Sequence, residues 1–319
     1  MVTAATPPGM PERESTRDRE APPETAPRTG IRPILVPLDG SDLAERALPY
    51  AEALAAPGCQ LILLEVGQDE DEFQILDRHA DTCAHLETAV GDPAQQILQV
   101  AIQVGAGLIV TTTHGRGALG RWAFGSVADQ VARTTPVPVM LIRPTAGAPP
   151  APAIRRIVAP LDGSPRSELA LPIAEAIARQ MHAPVHLVTA IDLTRLAPTE
   201  LMPTAAFNAD LYEEQVHQAQ RDAEESLSEA AAQLRRGGVE VTQSVRPGSP
   251  IAVIRETVQP GDVIVLASHG RHGAARLLLG SLAEQLIRDG SAPVVLVPAT
   301  DRAPGHPPAR AVPVGADAQ

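Results

Sequence analysis

The 319-residue sequence contains no lysine, and all 26 of its basic residues are arginine. This absence excludes three familiar kinds of chemistry that depend on a lysine side chain. They are the Walker A phosphate loop, the strand lysine of protein kinases, and Schiff-base catalysis. Any phosphate chemistry of this protein must therefore use other groups.

Aromatic residues are also scarce, with three Phe, two Tyr and one Trp. The core must be built from Leu, Val, Ile and Ala, which is typical of parallel sheets covered by helices. A formal net charge of −12 argues against a nucleic-acid partner, which would need a basic face. No apolar run reaches the roughly 18 residues of a membrane span, and the N-terminus lacks the pattern of a secretory signal. We therefore expect a cytoplasmic protein with no membrane partner.

Cysteine is limited to Cys59 and Cys83. Two cysteines do not indicate a disulfide framework. A redox role is the alternative, but free cysteine usually behaves as a small hydrophobic residue, and we interpret both as buried thiols.

The sequence contains two copies of one internal repeat. Residues 31–55 recur as 154–178 at an offset of 123, and residues 108–130 recur as 263–285 at an offset of 155, so the second copy holds 32 additional residues in its middle. We call 31–143 the first copy and 154–298 the second copy, and we predict that each is a domain. The composition predicts disordered tails at 1–30 and 299–319 and a proline-rich linker at 144–153.

Apolar runs alternate with helix-period stretches in both copies, which predicts an α/β fold with two doubly wound, five-stranded parallel-sheet domains. The first copy is trimmed between its second and third strands. Its predicted strands are 34–38, 60–66, 84–90, 107–112 and 138–142, and its predicted helices are 41–56, 93–104 and 126–135. The second copy adds a helix at 208–236, whose apolar residues, from Leu211 to Leu234, are spaced for a core-facing helix.

Two local signals predict helix starts. Asp42 and Glu45 have the spacing of a capping box. In the second copy, Pro165 follows Ser164, and proline is tolerated at the first position of a helix.

The strongest chemical signal follows the fourth strand of each copy. His114-Gly115 is separated by nine residues from Gly125-Ser126, and His269-Gly270 by nine residues from Gly280-Ser281. Glycine lets a backbone approach a ligand closely, and the free amides at a helix start suit an anion. The serine hydroxyl either donates to a phosphate or caps the helix. The equal spacing in both copies favours a phosphate loop.

Asp39 and Asp162 end the first strand of each copy. The carboxyl ends of strands form the ligand crevice of open α/β sheets, so these carboxylates are candidates to accept ribose hydroxyls or hold a cation. The alternative is a turn aspartate that bonds its own backbone, which is common before glycine. We favour the ligand interpretation.

Other residues of the loop are ambiguous. Gly115 to Gly120 matches a dinucleotide fingerprint, but it follows the fourth strand rather than the first and lacks the acidic residue that the fingerprint requires, so we reject it. For His114 and His269, contact with a ligand or the backbone is favoured over acid–base catalysis. Arg116 and Arg271 either neutralise phosphate or are solvated loop arginines.

The segments LDGS, GDPA, THGRGALGRW and FGSVAD resemble the universal stress protein family, and the resemblance covers about 31–143 and 154–298. It implies a parallel sheet of order 3-2-1-4-5 that dimerises through its fifth strand. ATP-binding members carry a Gly-x2-Gly-x9-Gly-Ser/Thr motif. Its last three positions match Gly115, Gly125 and Ser126, and Gly270, Gly280 and Ser281, whereas its first position is Thr112 in one copy and Ala267 in the other.

The resemblance also implies a ligand and its contacts. The first-strand aspartate lies beside the adenosine and the end of the second strand contacts adenine, which gives Asp39 with Val66, and Asp162 with Ala190. The implied cofactor is ATP or AMP, either with or without a bound Mg²⁺ ion. Thr112 places a branched side chain where the ligand would approach, so the second copy is the favoured site. The leading hypothesis is a nucleotide-binding regulatory stress protein without enzymatic activity. The alternatives are a nucleotide-free interaction module and a slow ATPase or phosphotransferase.

The fifth strand of each copy is apolar, and an exposed apolar edge invites pairing with another edge. We expect 138–142 to lie near 293–297 within one chain, as an intramolecular domain pair. Further homo-oligomerisation stays open.

Overall fold

The computed structural model describes residues 31, 33–55, 59–69, 73, 84–113, 125–143, 154–196, 209–268 and 279–299. The predicted tail at 1–30, the linker at 144–153, nearly all of the predicted tail at 299–319 and Cys83 lie outside these residues. Cys59 is partly buried, and its thiol is 3.5 Å from the carbonyl oxygen of Ile31.

The first copy alternates strands and helices as expected. The described elements are β1 Ile34–Leu38, α1 Asp42–Glu45, α2 Leu48–Leu54, β2 Leu61–Gly67, β3 His85–Val90, α3 Pro93–Gln103, β4 Leu108–Thr112, α4 Ser126–Thr134 and β5 Val139–Ile142. The prediction of one helix over 41–56 is wrong, because the chain forms two. Pro49 lies in the first turn of α2, where its missing N–H costs no helical hydrogen bond, and a second helix begins there.

The second copy repeats the pattern with additions. Its described elements are β6 Arg156–Pro160, a 3₁₀ turn at Ser167–Ala170, α5 Leu171–Met181, β7 Val185–Ile191, α6 Leu193–Leu196, α7 Ala209–Arg236, β8 Val241–Pro247, α8 Pro250–Thr257, β9 Asp262–Ala267, α9 Ser281–Asp289 and β10 Val294–Val297. The additional residues of this copy include α7, as predicted. The helix that follows Ser164 begins later than predicted, after a turn at Pro165.

The ten strands of the described residues form one sheet in the order β3-β2-β1-β4-β5-β10-β9-β6-β7-β8. Within each copy the strands are parallel and follow the predicted order 3-2-1-4-5. The copies join where β5 and β10 pair in antiparallel fashion, with Val294 opposite Leu141 and Leu296 opposite Val139. The predicted proximity of these two strands is confirmed.

Helices cover both faces of the sheet, and the core residues are aliphatic. Val36, Leu63 and Met140 belong to one face, which also receives the buried residues of α5 and α7. Leu35 and Leu141 belong to the other face, which is covered by α3, α4, α8 and α9. The scarcity of aromatic residues therefore corresponds to a core of Leu, Ile, Val and Ala.

Helix α7 is only partly a core helix. Leu227 and Leu234 are fully buried, but Leu211, near the start of the helix, is 56% exposed. The prediction of a core-facing helix holds for its C-terminal part and is wrong for its first turns. Among the described residues, no helix is both long enough and apolar enough to cross a membrane.

Candidate functional site

An Asp-Gly-Ser turn follows the first strand of each copy. Asp39 Oδ1 accepts hydrogen bonds from the Ser41 N–H at 3.0 Å and the Ser41 hydroxyl at 2.6 Å. Asp162 Oδ1 accepts the same two bonds from Ser164, at 3.0 and 2.5 Å. The intervening glycines, Gly40 and Gly163, both have φ of 73°, in the left-handed region that glycine tolerates. Each aspartate thus makes the local turn bonds while standing at the carboxyl end of its strand.

The serines of these turns, Ser41 and Ser164, act as the capping groups. Ser41 is the N-cap of α1, and its Oγ accepts from the Ala44 N–H at 3.1 Å. The predicted capping box of Asp42 and Glu45 is therefore wrong, because Ser41 is the N-cap and the third helical position is Ala44, which has no side-chain group to complete a box. Ser164 Oγ accepts from the Ser167 N–H at 3.2 Å in the same way. An Asp-x-Ser spacing was the sequence signal for this arrangement, since aspartate commonly bonds the backbone two residues ahead.

The turn of the second copy carries further bonds. The Ser167 hydroxyl donates to the Ser164 carbonyl at 2.8 Å, and the Asp162 N–H is 3.3 Å from Ser167 Oγ. Ser167 is only 6% exposed. Its counterpart in the first copy is Ala44, which has no hydroxyl. The turn at Asp162 therefore has hydroxyl bonds that Ala44 cannot supply to the turn at Asp39.

The two glycine loops are closed at their bases by equivalent hydrogen bonds. The Gly125 N–H donates to the Thr113 carbonyl at 2.6 Å, and the Gly280 N–H donates to the Ser268 carbonyl at 3.0 Å. A Cβ at position 280 would lie 3.2 Å from that Ser268 oxygen, so a side chain there would crowd the backbone. The remaining predicted loop residues lie outside the described part of the chain: His114, Gly115, Arg116, His269, Gly270 and Arg271.

Helices α4 and α9 begin at the predicted Gly-Ser pairs. Gly125 and Gly280 are the N-cap residues, so Ser126 and Ser281 occupy the first helical position, where both are exposed. Neither serine is the capping residue, and that alternative is wrong. The amides of the first turn have no acceptor within a helix, and the helix dipole adds partial positive charge. These helix starts therefore suit an anion.

The other predicted contacts lie at the carboxyl ends of the strands of their own copy. Thr112 ends β4 and is 5% exposed, and Ala267 ends β9 and is 9% exposed. Val66 and Ala190 are partly buried near the ends of β2 and β7. The pairing of Leu38 with Glu65 brings Val66 beside Asp39, one residue further along. Since β1 lies between β2 and β4, these residues frame the crevice where the strand order reverses.

A wide, solvent-open depression of about 450 Å³ lies at the end of β3 in the first copy, and Phe73, Thr88, Ala89 and Val90 are among its lining residues. Ala89 is opposite Val66 in the sheet, so the depression adjoins the implied adenine contact. In the part of the chain that the structure describes, no group of three or more His, Cys, Asp or Glu residues is placed to hold a metal ion.

An ion-pair network connects the two helices of the candidate sites. The Arg133 guanidinium donates from Nε to both carboxylate oxygens of Asp129, at 2.9 and 2.8 Å, and its terminal nitrogen donates to Glu284 Oε1 at 2.9 Å. Hydrogen bonding to Asp129, supported by Glu284, raises the pKa of Arg133 against the opposing effect of its burial. Sequence reasoning missed this network, because residues 151 positions apart carry no local signature.

Comparison with known proteins identifies the family. The sequence model of the Universal stress protein family matches residues 67–143 and 153–298. The chain therefore belongs to the universal stress protein family. A universal stress protein of Mycobacterium tuberculosis is 31% identical over 215 residues, covering 66% of this chain and 67% of the relative. A universal stress protein of Thermus aquaticus is 31% identical over 136 residues, covering 35% of this chain and 99% of the relative.

Solved structures share the architecture. A functionally unknown protein from Pseudomonas aeruginosa superposes with a TM-score of 0.61 at 19% identity, covering 85% of this chain and 93% of its own. A universal stress protein from Archaeoglobus fulgidus superposes with a TM-score of 0.53 at 19% identity, covering 84% and 98%. At this identity the likeness establishes the fold alone.

Proposed function

We propose that the protein binds an adenine nucleotide, ATP or AMP, as a regulatory factor in the stress response. The main supporting observation is the helix start of each copy, where Gly125-Ser126 and Gly280-Ser281 offer first-turn amides. Each start is hydrogen-bonded to the residue that follows the strand next to the one ending in the Asp-Gly-Ser turn. The amides and hydroxyls suit phosphate, and the aspartates suit ribose hydroxyls. This donor set provides phosphate contacts without a lysine.

The second copy is the preferred site. Its β9 ends in Ala267, which leaves more room for a ligand than Thr112 at the equivalent end of β4. Its Asp162 turn is further fixed by Ser167, so less ordering remains when a ligand binds. The branched Thr112 supports the second candidate function for the first copy, a nucleotide-free interaction module. The depression beside Val66 instead supports nucleotide binding in the first copy. Substitution of one serine in each copy distinguishes a nucleotide-free first copy from one that binds nucleotide.

The exposed helix-start serines are the positions at which the proposal is tested. Ser281→Glu places a carboxylate in the phosphate position of the second copy, while an acid in the first turn is compatible with the helix dipole, so folding should persist. ATP affinity should fall about tenfold or more, because charge-assisted hydrogen bonds contribute about 1.5–3 kcal/mol. Ser126→Glu is the matched variant in the first copy and should change the affinity less. Calorimetric titration with ATP and AMP measures both.

Wild-type affinity retained in Ser281→Glu would overturn the site assignment, and an equal loss in both variants would indicate that both copies bind. The enzyme alternative is tested on the same samples. Hydrolysis should stay near background at saturating ATP, whereas turnover on the order of 1 s⁻¹ that is lost in Asp162→Ala would favour an ATPase.

A further inference from the structure

An acidic residue stands in the first turn of each Gly-Ser helix. The Asp129 N–H donates to the Gly125 carbonyl at 2.9 Å, and the Glu284 N–H donates to the Gly280 carbonyl at 3.0 Å. Both residues are therefore four positions after their N-cap glycine. A carboxylate so close to a helix start has the same sign of charge as a phosphate bound there, and it would oppose phosphate binding unless a cation compensated it.

Arg133 compensates both carboxylates. It is a residue of the first copy, near the end of α4, and its guanidinium contacts its own Asp129 at 2.8 Å and Glu284 of the second copy at 2.9 Å. Arg288 occupies the equivalent position of α9. Its nearest approach to Glu284 is 3.8 Å, which is beyond good hydrogen-bond distance. The two copies therefore do not use their equivalent arginines in the same way.

We propose that Arg133 is a shared counter-ion of the two helix starts, and that the nucleotide site of the second copy depends on this arginine of the first copy for its phosphate affinity. The inference rests on the proposed nucleotide-binding function. Arg133 acts through Glu284 and is a positioning and charge-compensating residue rather than a ligand contact. Its consequence is that the second copy binds phosphate more tightly when the two copies are docked than when they are apart.

The test compares a phosphate-bearing probe with one that lacks phosphate. Arg133→Gln should weaken ATP and AMP binding about two- to fivefold, the usual effect of one charge near a helix end. Adenosine affinity should stay unchanged, because adenosine has no phosphate that the uncompensated Glu284 carboxylate could repel. A merely structural role for Arg133 would weaken all three ligands together.

A second variant predicts a change of opposite sign. Glu284→Gln removes the carboxylate itself and should strengthen ATP binding by a similar factor, and in combination with Arg133→Gln it should restore at least the wild-type affinity. Loss of fold stability cannot produce tighter binding. Arg255→Gln is the matched control, because it breaks an ion pair of 2.8 Å to Asp289 at the far end of α9 and should leave ATP affinity unchanged.

The outcomes separate this inference from the proposed function. Absence of ATP binding in the wild-type protein would overturn both the proposed nucleotide-binding function and the role of Arg133. Wild-type binding with an unchanged affinity in Arg133→Gln, or with a parallel loss for adenosine, would overturn the shared counter-ion while leaving nucleotide binding intact. Equal effects of Arg133→Gln and Arg255→Gln would also overturn it.

Discussion

His186 illustrates how a single side chain makes stability depend on pH. It lies on β7, where its ring nitrogens are 2.8 Å from Thr242 Oγ1 and 3.0 Å from Ser244 Oγ on β8. Burial lowers its pKa, nearby Arg156 lowers it further, and Asp262 partly opposes this effect. The folded protein therefore favours the neutral ring more than the unfolded chain does.

The sign of the pH dependence is set by this lowered pKa. An unfolded histidine takes up a proton below about pH 6.5, while folded His186 resists it, so the free energy of unfolding should decrease as the pH falls from about 7.5 towards 5. His186→Gln keeps a polar group between the two hydroxyls and should show a shallower decrease. Urea unfolding at several pH values measures the difference. Parallel curves for the two proteins would show that His186 does not titrate as stated.

At the residue scale, the sequence predicted what depends on local spacing. Gly125-Ser126 and Gly280-Ser281 were located as helix starts because glycine and serine have strong positional preferences. Ser167 was missed, since its hydroxyl acts through a turn whose conformation the sequence leaves open. Arg133 was missed because its partner Glu284 is far away in the chain.

Helix α7 offers a matched pair of substitutions within one element. Leu227→Ala should lower the free energy of unfolding by about 2–5 kcal/mol, because its fully buried side chain would leave a cavity. Leu211→Ala, at a position that is 56% exposed, should change stability by no more than about 0.5 kcal/mol. Chemical denaturation of both variants measures the contrast. Similar losses would mean that the first turns of α7 are packed as firmly as its end.

At the element scale, periodicity predicts which face of a helix is apolar but not how much of it is covered. The 28 residues of α7 span about 42 Å, at about 1.5 Å per residue, whereas the seven residues of β8 span about 23 Å. The helix therefore extends beyond the strand on which it packs. This geometric mismatch explains why Leu227 is buried and Leu211 is exposed.

For the whole molecule, the pairing of β5 with β10 predicts that the copies stay together without their covalent connection. Met140, Leu141, Val294, Val295 and Leu296 are each at most 2% exposed. When a protease site introduced within 144–153 is cleaved, the two fragments should co-elute in size-exclusion chromatography at tens of micromolar. Because the contact is mainly apolar, co-elution should persist in 1 M salt. Fragments that separate as folded monomers would contradict this pairing.

The antiparallel pairing of β5 with β10 sets the directions in which the two candidate sites face. All strands of one copy run opposite to all strands of the other, so the carboxyl ends of β1 and β6 emerge from opposite margins of the continuous sheet. Asp39 and Asp162 therefore lie at opposite margins of the sheet and do not share a cleft. One ligand molecule cannot bridge them, and a partner that covers one end leaves the other accessible. The two candidate sites thus lie at opposite margins of one continuous sheet and are open to separate partners.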